Sequence, residues 1–205
     1  LDSLRIIHKA AGSGTRERLI SLNGVPREIV RTDREVHCYL PDENAVMIEH
    51  RRAGNRNFPA LLPESLATLD KNYRIRHGKD GRVAGRKANL VVIKPRDGYR
   101  YGYQLWADAE TGLLLKASLV NEQGAVFEQT MFTQVSIGQP IADEALKPQN
   151  PGRNFVWHKP EESGVEATPS GWEATRLPTG FGLSTRMTRK LPARREPVEH
   201  LVYSD

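Results

Sequence analysis

The residues of this chain that could do chemistry are numerous but scattered. Its six histidines, His8, His37, His50, His77, His158 and His200, share no spacing that would gather a metal ion. Metal sites need ligand pairs such as C-x-x-C or H-E-x-x-H, which put two donors on one side of a turn or helix. His37 and Cys38 are adjacent, and neighbours on a strand point to opposite faces, so they do not form a nucleophile and its base. Cys38 is the one cysteine; it can form no disulfide within the chain and reads as a buried structural thiol. Gly78, Gly81 and Gly85 surround Lys79, but no Ser or Thr follows that lysine and a Val/Ile run comes next, so these are turn glycines and not a phosphate loop. Gly12-Ser13-Gly14-Thr15 reads the same way. Neither an enzyme nor a metal or cofactor site is expected.

One charge feature stands out in a chain of net charge +5, the basic cluster Lys71, Arg74, Arg76, Lys79, Arg82, Arg86 and Lys87. Strand alternation would put Arg74 and Arg76 on one face, with Lys79 and Arg82 near the adjoining turn, and these four are the candidate phosphate- or anion-binding residues. The alternative is a solvated sheet face. Lipid phosphate suits the cluster better than nucleic acid. Sheets that bind single-stranded nucleic acid interleave stacking aromatics with their charges, whereas the aromatics here lie downstream.

The elements that must position these residues are short strands. Tyr99 to Trp106 alternates, Ala107 to Gly112 turns, Leu113 to Val120 alternates again, Asn121 to Gly124 turns, and Ala125 to Ile137 runs out extended, the pattern of an antiparallel meander. On the middle strand Leu113, Leu115, Ala117 and Leu119 share one face in strict alternation, and Leu114, Lys116, Ser118 and Val120 the other. Upstream, Ser3–His8, Arg16–Leu22, Glu28–Arg31, Val36–Leu40 and Ala45–Glu49 read as strands, then Tyr73–His77, Arg82–Ala84 and Arg86–Lys94. One helix is expected, at Pro63–Asp70, started by Pro63 and carrying Leu66 and Leu69 on its apolar side after a basic loop at His50–Asn57. Phe155–His158, Trp172–Leu177, Leu183–Lys190 and Val198–Tyr203 are strand-like segments between Pro/Gly turns.

The chain has 205 residues, 38% hydrophobic and 27% charged, which suits a globular protein with its own core. No apolar run reaches the roughly 20 residues of a membrane helix. The expectation is a mainly β (α+β) fold: a half-barrel domain over 1–142, an aperiodic link over 143–154, and a small, incomplete second domain over 155–205. The start at Leu1 without Met is expected of a processed chain or a fragment.

Tyr99-Arg100-Tyr101-Gly102-Tyr103-Gln104-Leu105-Trp106, Asp108 and Thr111-Gly112-Leu113-Leu114-Leu115, preceded by Arg82-Val83-Ala84-Gly85-Arg86, resemble the RseB/MucB family of periplasmic regulators of the envelope-stress sigma factor. Gly171-Trp172, Leu177-Pro178-Thr179-Gly180-Phe181 and His200-Leu201-Val202-Tyr203-Ser204-Asp205 resemble the family's smaller C-terminal domain. The resemblance implies an N-terminal half-barrel like that of the lipoprotein carriers LolA and LolB, with further strands beyond both ends of this chain. It implies a periplasmic location and binding to the periplasmic region of a membrane anti-sigma factor of the RseA/MucA type, which is thereby shielded from the site-1 protease. Lipopolysaccharide or lipid fragments would release it, and a homodimer is left open. On that reading Leu113, Leu115, Leu119, Phe127 and Met131 line a lipid cavity with Trp106 and Leu66 near its mouth, the alternative being an ordinary closed core. Arg153, Trp157, Arg186 and Arg189, in or after the link, are the expected partner-binding residues. A periplasmic carrier of the LolA type is the competing function.

Overall fold

The computed structural model describes residues 1–12, 14–50, 69–149, 155–158, 171–189 and 198–205. The chain forms two compact units, Leu1–Asn57 with Gly138–Gly164, and Phe58–Ile137 with Val165–Asp205. Both are built on antiparallel sheet.

In the first unit, β1 (Leu4–Ala11), β2 (Gly14–Ser21), β3 (Glu28–Arg31), β4 (Glu35–Leu40) and β5 (Ala45–His50) pair in sequence order as an antiparallel meander. The turns at Thr32–Arg34 and Pro41–Asn44 are short and mostly polar, the chemistry that tight strand connections require. A sixth strand, β12 (Val156–His158), lies parallel to β5, with Trp157 opposite Val46. Leu19, Tyr39, Leu40, Ala45 and Val46 are its buried apolar residues.

The stretch Gly138–Gln149 is attached to this sheet. A 3-10 turn at Asp143–Leu146 buries Leu146. Lys9 Nζ donates to the Ile141 carbonyl at 2.9 Å and to Asp143 Oδ1 at 2.8 Å. Arg18, buried in β2, donates through Nε to Glu28 and through Nη1 to the Ala145 carbonyl at 2.9 Å, while Glu28 accepts the Gln149 N–H at 3.1 Å. A strap that approaches a sheet without pairing as a strand must satisfy its backbone groups in this way.

In the second unit, one helical turn, α1 (Leu69–Asn72), leads into β6 (Tyr73–His77); β7 (Gly81–Val83), β8 (Arg86–Pro95), β9 (Gly102–Asp108), β10 (Leu114–Val120) and β11 (Val126–Met131) follow. The sheet runs β11-β10-β9-β8-β6, with β7 also on β8, and β13 (Gly182–Arg189) pairs with β14 (Val198–Ser204) as a separate hairpin. Two apolar clusters cover the two faces of the larger sheet. Leu69, Tyr73, Ile93, Leu105 and Ala117 form one, with Val91, Tyr103 and Leu114 packed on it; Val83, Ala88 and Leu115 form the other, with Trp106, Leu113, Phe132 and Val135. Leu115 is fully buried, a contribution of about 2–3 kcal/mol for an aliphatic side chain.

Four expectations change. The middle strand does not keep one alternation, because its register on β9 jumps from Leu114↔Ala107 to Lys116↔Trp106 and leaves Leu115 as a bulge residue. A bulge resets which face each side chain takes, so Leu113 and Leu115 join one cluster while Ala117 joins the other. The third strand ends at Met131, where Phe132 and Val135 turn in to pack beside Leu115. Tyr99–Tyr101 precede β9 instead of opening it. Trp172–Leu177 makes no ladder with any strand among the described residues. Of the expected helix, residues 63–68 lie outside the described residues.

Candidate partner-binding surfaces

Among the described residues Arg100 is the best-buried cation of the second unit, its side chain 1% exposed. It sits just before β9, where Asp97 caps the turn by accepting the Tyr99 N–H at 3.0 Å. Its guanidinium donates to Asp97, to Asp205 Oδ2 at 2.6 Å and to the Thr179 carbonyl at 2.5 Å, and lies 4.7 Å from the centre of the Phe181 ring. Tyr73 on β6 donates its hydroxyl to the same Asp205 oxygen at 2.9 Å; desolvation, then that hydrogen bond, push the phenol's pKa up. Gly180 has φ +87°, and a Cβ there would lie 2.6 Å from Asn72 Nδ2 and 2.8 Å from Arg100 Nη2. Only glycine combines that backbone conformation with so close an approach. Arg100 thereby ties the turn at 178–181 and the end of β14 to the sheet.

A second ion cluster shapes the β9–β10 connection. Arg86 donates to both oxygens of buried Asp108, at 2.7 and 3.0 Å, and Asp108 Oδ2 also accepts the Thr111 N–H at 3.0 Å and hydroxyl at 2.8 Å. The Arg86 hydrogen bond is the first cause that holds the Asp108 carboxyl far below its usual range, against desolvation. Gly112 closes this turn at φ +74°. The arrangement builds a turn and leaves no reactive group free.

The residues expected to line a lipid cavity are distributed over three surroundings. Trp106, Leu113 and Leu115 come together in one apolar cluster, where Lys116 Nζ lies 4.4 Å above the Trp106 ring and Met131 stands directly across from Lys116. Leu119 faces away, opposite Tyr103. Phe127 is a bulge residue on the edge strand β11, 73% exposed and stacked on Tyr101 with ring centres 5.7 Å apart. Leu66 lies outside the described residues.

The anion-binding set is likewise divided. Arg74 stands opposite Lys94, and Arg76 opposite Val92, on the Trp106 face of the sheet. Arg82 stands opposite Lys87 on the reverse face, donating to the Gly85 carbonyl at 3.1 Å, and Lys79 lies in the turn between β6 and β7. Alternation was the right signal for Arg74 and Arg76. Lys94 was missed because its place beside Arg74 is visible only once the register is known.

Among the partner-binding residues, Arg153 lies outside the described residues. Trp157 is on the first unit's edge strand β12, half exposed, with edge-to-face contacts to His37 at 5.9 Å and Tyr39 at 6.3 Å. Arg186 is on β13 and pairs with Glu199 at 3.2 Å. Arg189 ends β13 opposite Val198. Among the described residues no group of three His, Cys, Asp or Glu side chains could hold a metal ion, and no helix is long and apolar enough to cross a membrane.

These features define a mainly β protein of two antiparallel-sheet units, whose buried ionic groups brace turns and whose exposed Trp157, Phe127, Arg74 and Arg76 lie on strands at sheet edges. The chain belongs to the MucB/RseB family: the family's N-terminal domain matches residues 1–150. It is 34% identical over 201 residues to the sigma factor AlgU regulatory protein MucB of Pseudomonas aeruginosa, a match covering 98% of this chain and 60% of that protein. It is 30% identical to the sigma-E factor regulatory protein RseB of Haemophilus influenzae, covering 100% of this chain and 64% of the relative. Among solved structures, the MucA/MucB complex of Pseudomonas aeruginosa superposes with a TM-score of 0.74 at 30% identity, over 100% of this chain and 66% of that one. The chain thus spans about three fifths of the length of its curated relatives.

Proposed function

We propose that this chain is the greater part of a periplasmic regulatory protein. It binds the periplasmic region of a membrane anti-sigma factor of the MucA/RseA type, shields it from site-1 proteolysis and so represses the envelope-stress sigma factor. The observation that carries this reading is the likeness of the whole of this chain, in sequence and in fold, to two thirds of a MucB structure solved together with MucA.

Lipid sensing is the finer part of the proposal. It draws on the half-buried indole of Trp106 with a lysine ammonium over its face and the exposed Met131 beside it, a pairing of apolar body and cation that suits an acylated anion. The test is calorimetry of the purified protein with the periplasmic segment of a MucA-type anti-sigma factor, with and without lipopolysaccharide. Saturable peptide binding that lipopolysaccharide weakens is the expected result, and the peptide must then weaken lipopolysaccharide binding by the same factor. A folded protein that leaves the peptide unbound overturns the regulatory reading. Peptide binding indifferent to lipopolysaccharide removes the sensing part alone.

A further inference from the structure

We propose that the outer edge of β6 is a docking site for an extended acidic segment of a partner protein, one that presents an acidic, an apolar and an acidic residue in succession. Among the described residues β6 is the last strand of the second unit's sheet. Its register on β8 runs from Tyr73↔Pro95 to His77↔Val91. The same ladder continues on both sides, since the Gly78 N–H donates to the Leu90 carbonyl and the Arg96 N–H to the Asn72 carbonyl, each at 2.8 Å.

In an antiparallel pair, hydrogen-bonded positions alternate. Residues 72, 74, 76 and 78 therefore turn their backbone groups toward β8, and Tyr73, Ile75 and His77 turn theirs outward. The Tyr73 carbonyl is already taken, accepting from Arg96 Nε at 3.2 Å. Among the described residues, Ile75 and His77 are left to offer this edge its N–H and C=O groups. Their surroundings are accessible, because every side chain from Arg74 to His77 is exposed and Ile75 is 48% exposed.

The side chains set what kind of strand can add. Arg74 and Arg76 lie on one face, about 7 Å apart as alternate residues of a strand. Lys94 stands directly across from Arg74, and like charges so placed repel. Among the described residues none of these three cations has a carboxylate partner. A strand paired to β6 would place one residue opposite Ile75 and its two neighbours opposite Arg74 and Arg76. Carboxylates at those two positions relieve the repulsion, and an apolar residue between them covers Ile75. The three cations repel a second basic strand, so the edge is closed to its own kind and open to an acidic one. This site goes beyond the anti-sigma reading, since it is specified by the chemistry of one strand.

The test uses an end-blocked peptide carrying Glu-Val-Glu in a threonine frame, its Lys-Val-Lys counterpart, and the wild-type protein beside the R74E/R76E variant. Backbone amide exchange is followed by NMR. The acidic peptide should slow exchange at Ile75 and His77 while leaving Arg74 and Arg76, already bonded to β8, unchanged. R74E/R76E should weaken that binding by at least about tenfold, the scale of two surface ion pairs turned repulsive, and should take up the Lys-Val-Lys peptide instead. No binding, equal binding of both peptides to the wild type, or binding without protection at Ile75 and His77 overturns the assignment. So does displacement of the peptide by phosphatidylglycerol vesicles that leave those two amides unprotected, which would make this a lipid-binding face. The probe is synthetic, so its failure leaves the anti-sigma proposal standing, and the reverse holds for a MucA-type segment.

Discussion

Each unit fastens a distant stretch of chain to its sheet with one buried arginine, and the two clamps work differently. Arg18 holds the strap at 141–149 mainly through the strap's backbone: it donates to the Ala145 carbonyl, and its partner Glu28 accepts the Gln149 N–H. Arg100, steadied by its neighbour Asp97, holds the end of β14 through the Asp205 side chain and holds 178–181 through the Phe181 ring and the Thr179 carbonyl, beside a glycine that no other residue can replace. Arg18 leaves Nη2 without a partner among the described residues, whereas the Arg100 guanidinium is engaged at all three nitrogens. A clamp that grips backbone constrains the shape of the strap and little of its sequence. A clamp that grips side chains fixes both.

The largest effect expected is from Arg100→Ala. It strands two carboxylates that share one buried cation, and urea unfolding followed by circular dichroism should show a loss of about 3–5 kcal/mol. Arg18→Ala should cost less, because it takes the cation from one carboxylate where Arg100→Ala takes it from two, and an equal or larger loss there would break the contrast. Gly180→Ala comes next, at about 2–3 kcal/mol, since it adds a collision with Asn72 and Arg100 to an unfavourable backbone conformation. Gly138→Ala is its control in the first unit. That glycine also has positive φ, at +75°, but with open space around it, and the change should cost about 1 kcal/mol. Similar losses at both positions would mean that the Arg100 clamp yields.

The smallest effect sharpens the comparison through pH. Tyr73 donates to Asp205 inside the Arg100 clamp, and desolvation together with that bond raises its pKa above the ordinary tyrosine value of about 10, so the folded state favours the neutral phenol. Its stabilisation is complete below about pH 10, where the unfolded chain's tyrosine is also protonated, and is lost as pH rises toward the raised folded value. Tyr73→Phe should remove about 1 kcal/mol at neutral pH and flatten the decline of stability above pH 10. A mutant with an unchanged alkaline slope would place that slope elsewhere.

These clamps also account for what could be read from the residues alone. Period-two alternation identified the first sheet's meander and the strands from Tyr73 to Lys94 with ends within a few residues of those observed, because half-buried strands must alternate. The segments around Arg100, Thr179-Gly180-Phe181 and Asp205 carried the family resemblance, and they are the segments the side-chain clamp brings together. The bulge at Leu115 was invisible, because an inserted residue in an all-apolar run such as Leu113-Leu114-Leu115 changes facing without changing composition. For the same reason the proposed lipid-lining set split between faces. Pairing Arg74 with Lys94 required knowing register, which depends on distant strands. The helical turn at Leu69 could be anticipated from Pro63 and the leucine spacing, but nothing in Trp172–Leu177 shows that it stays out of the strand ladders of the described residues, since its composition suits a strand.

The lysine held 4.4 Å over the Trp106 ring has an optical consequence. Of the chain's three tryptophans, Trp106 is half-buried beneath a cation, Trp157 is half exposed on the first unit's edge, and Trp172 is 76% exposed. Their emission maxima should therefore be spread, with Trp106 bluest and Trp172 reddest. Single-tryptophan variants would give each unit its own intrinsic fluorophore, so that ligand capture at either could be timed without attaching a dye.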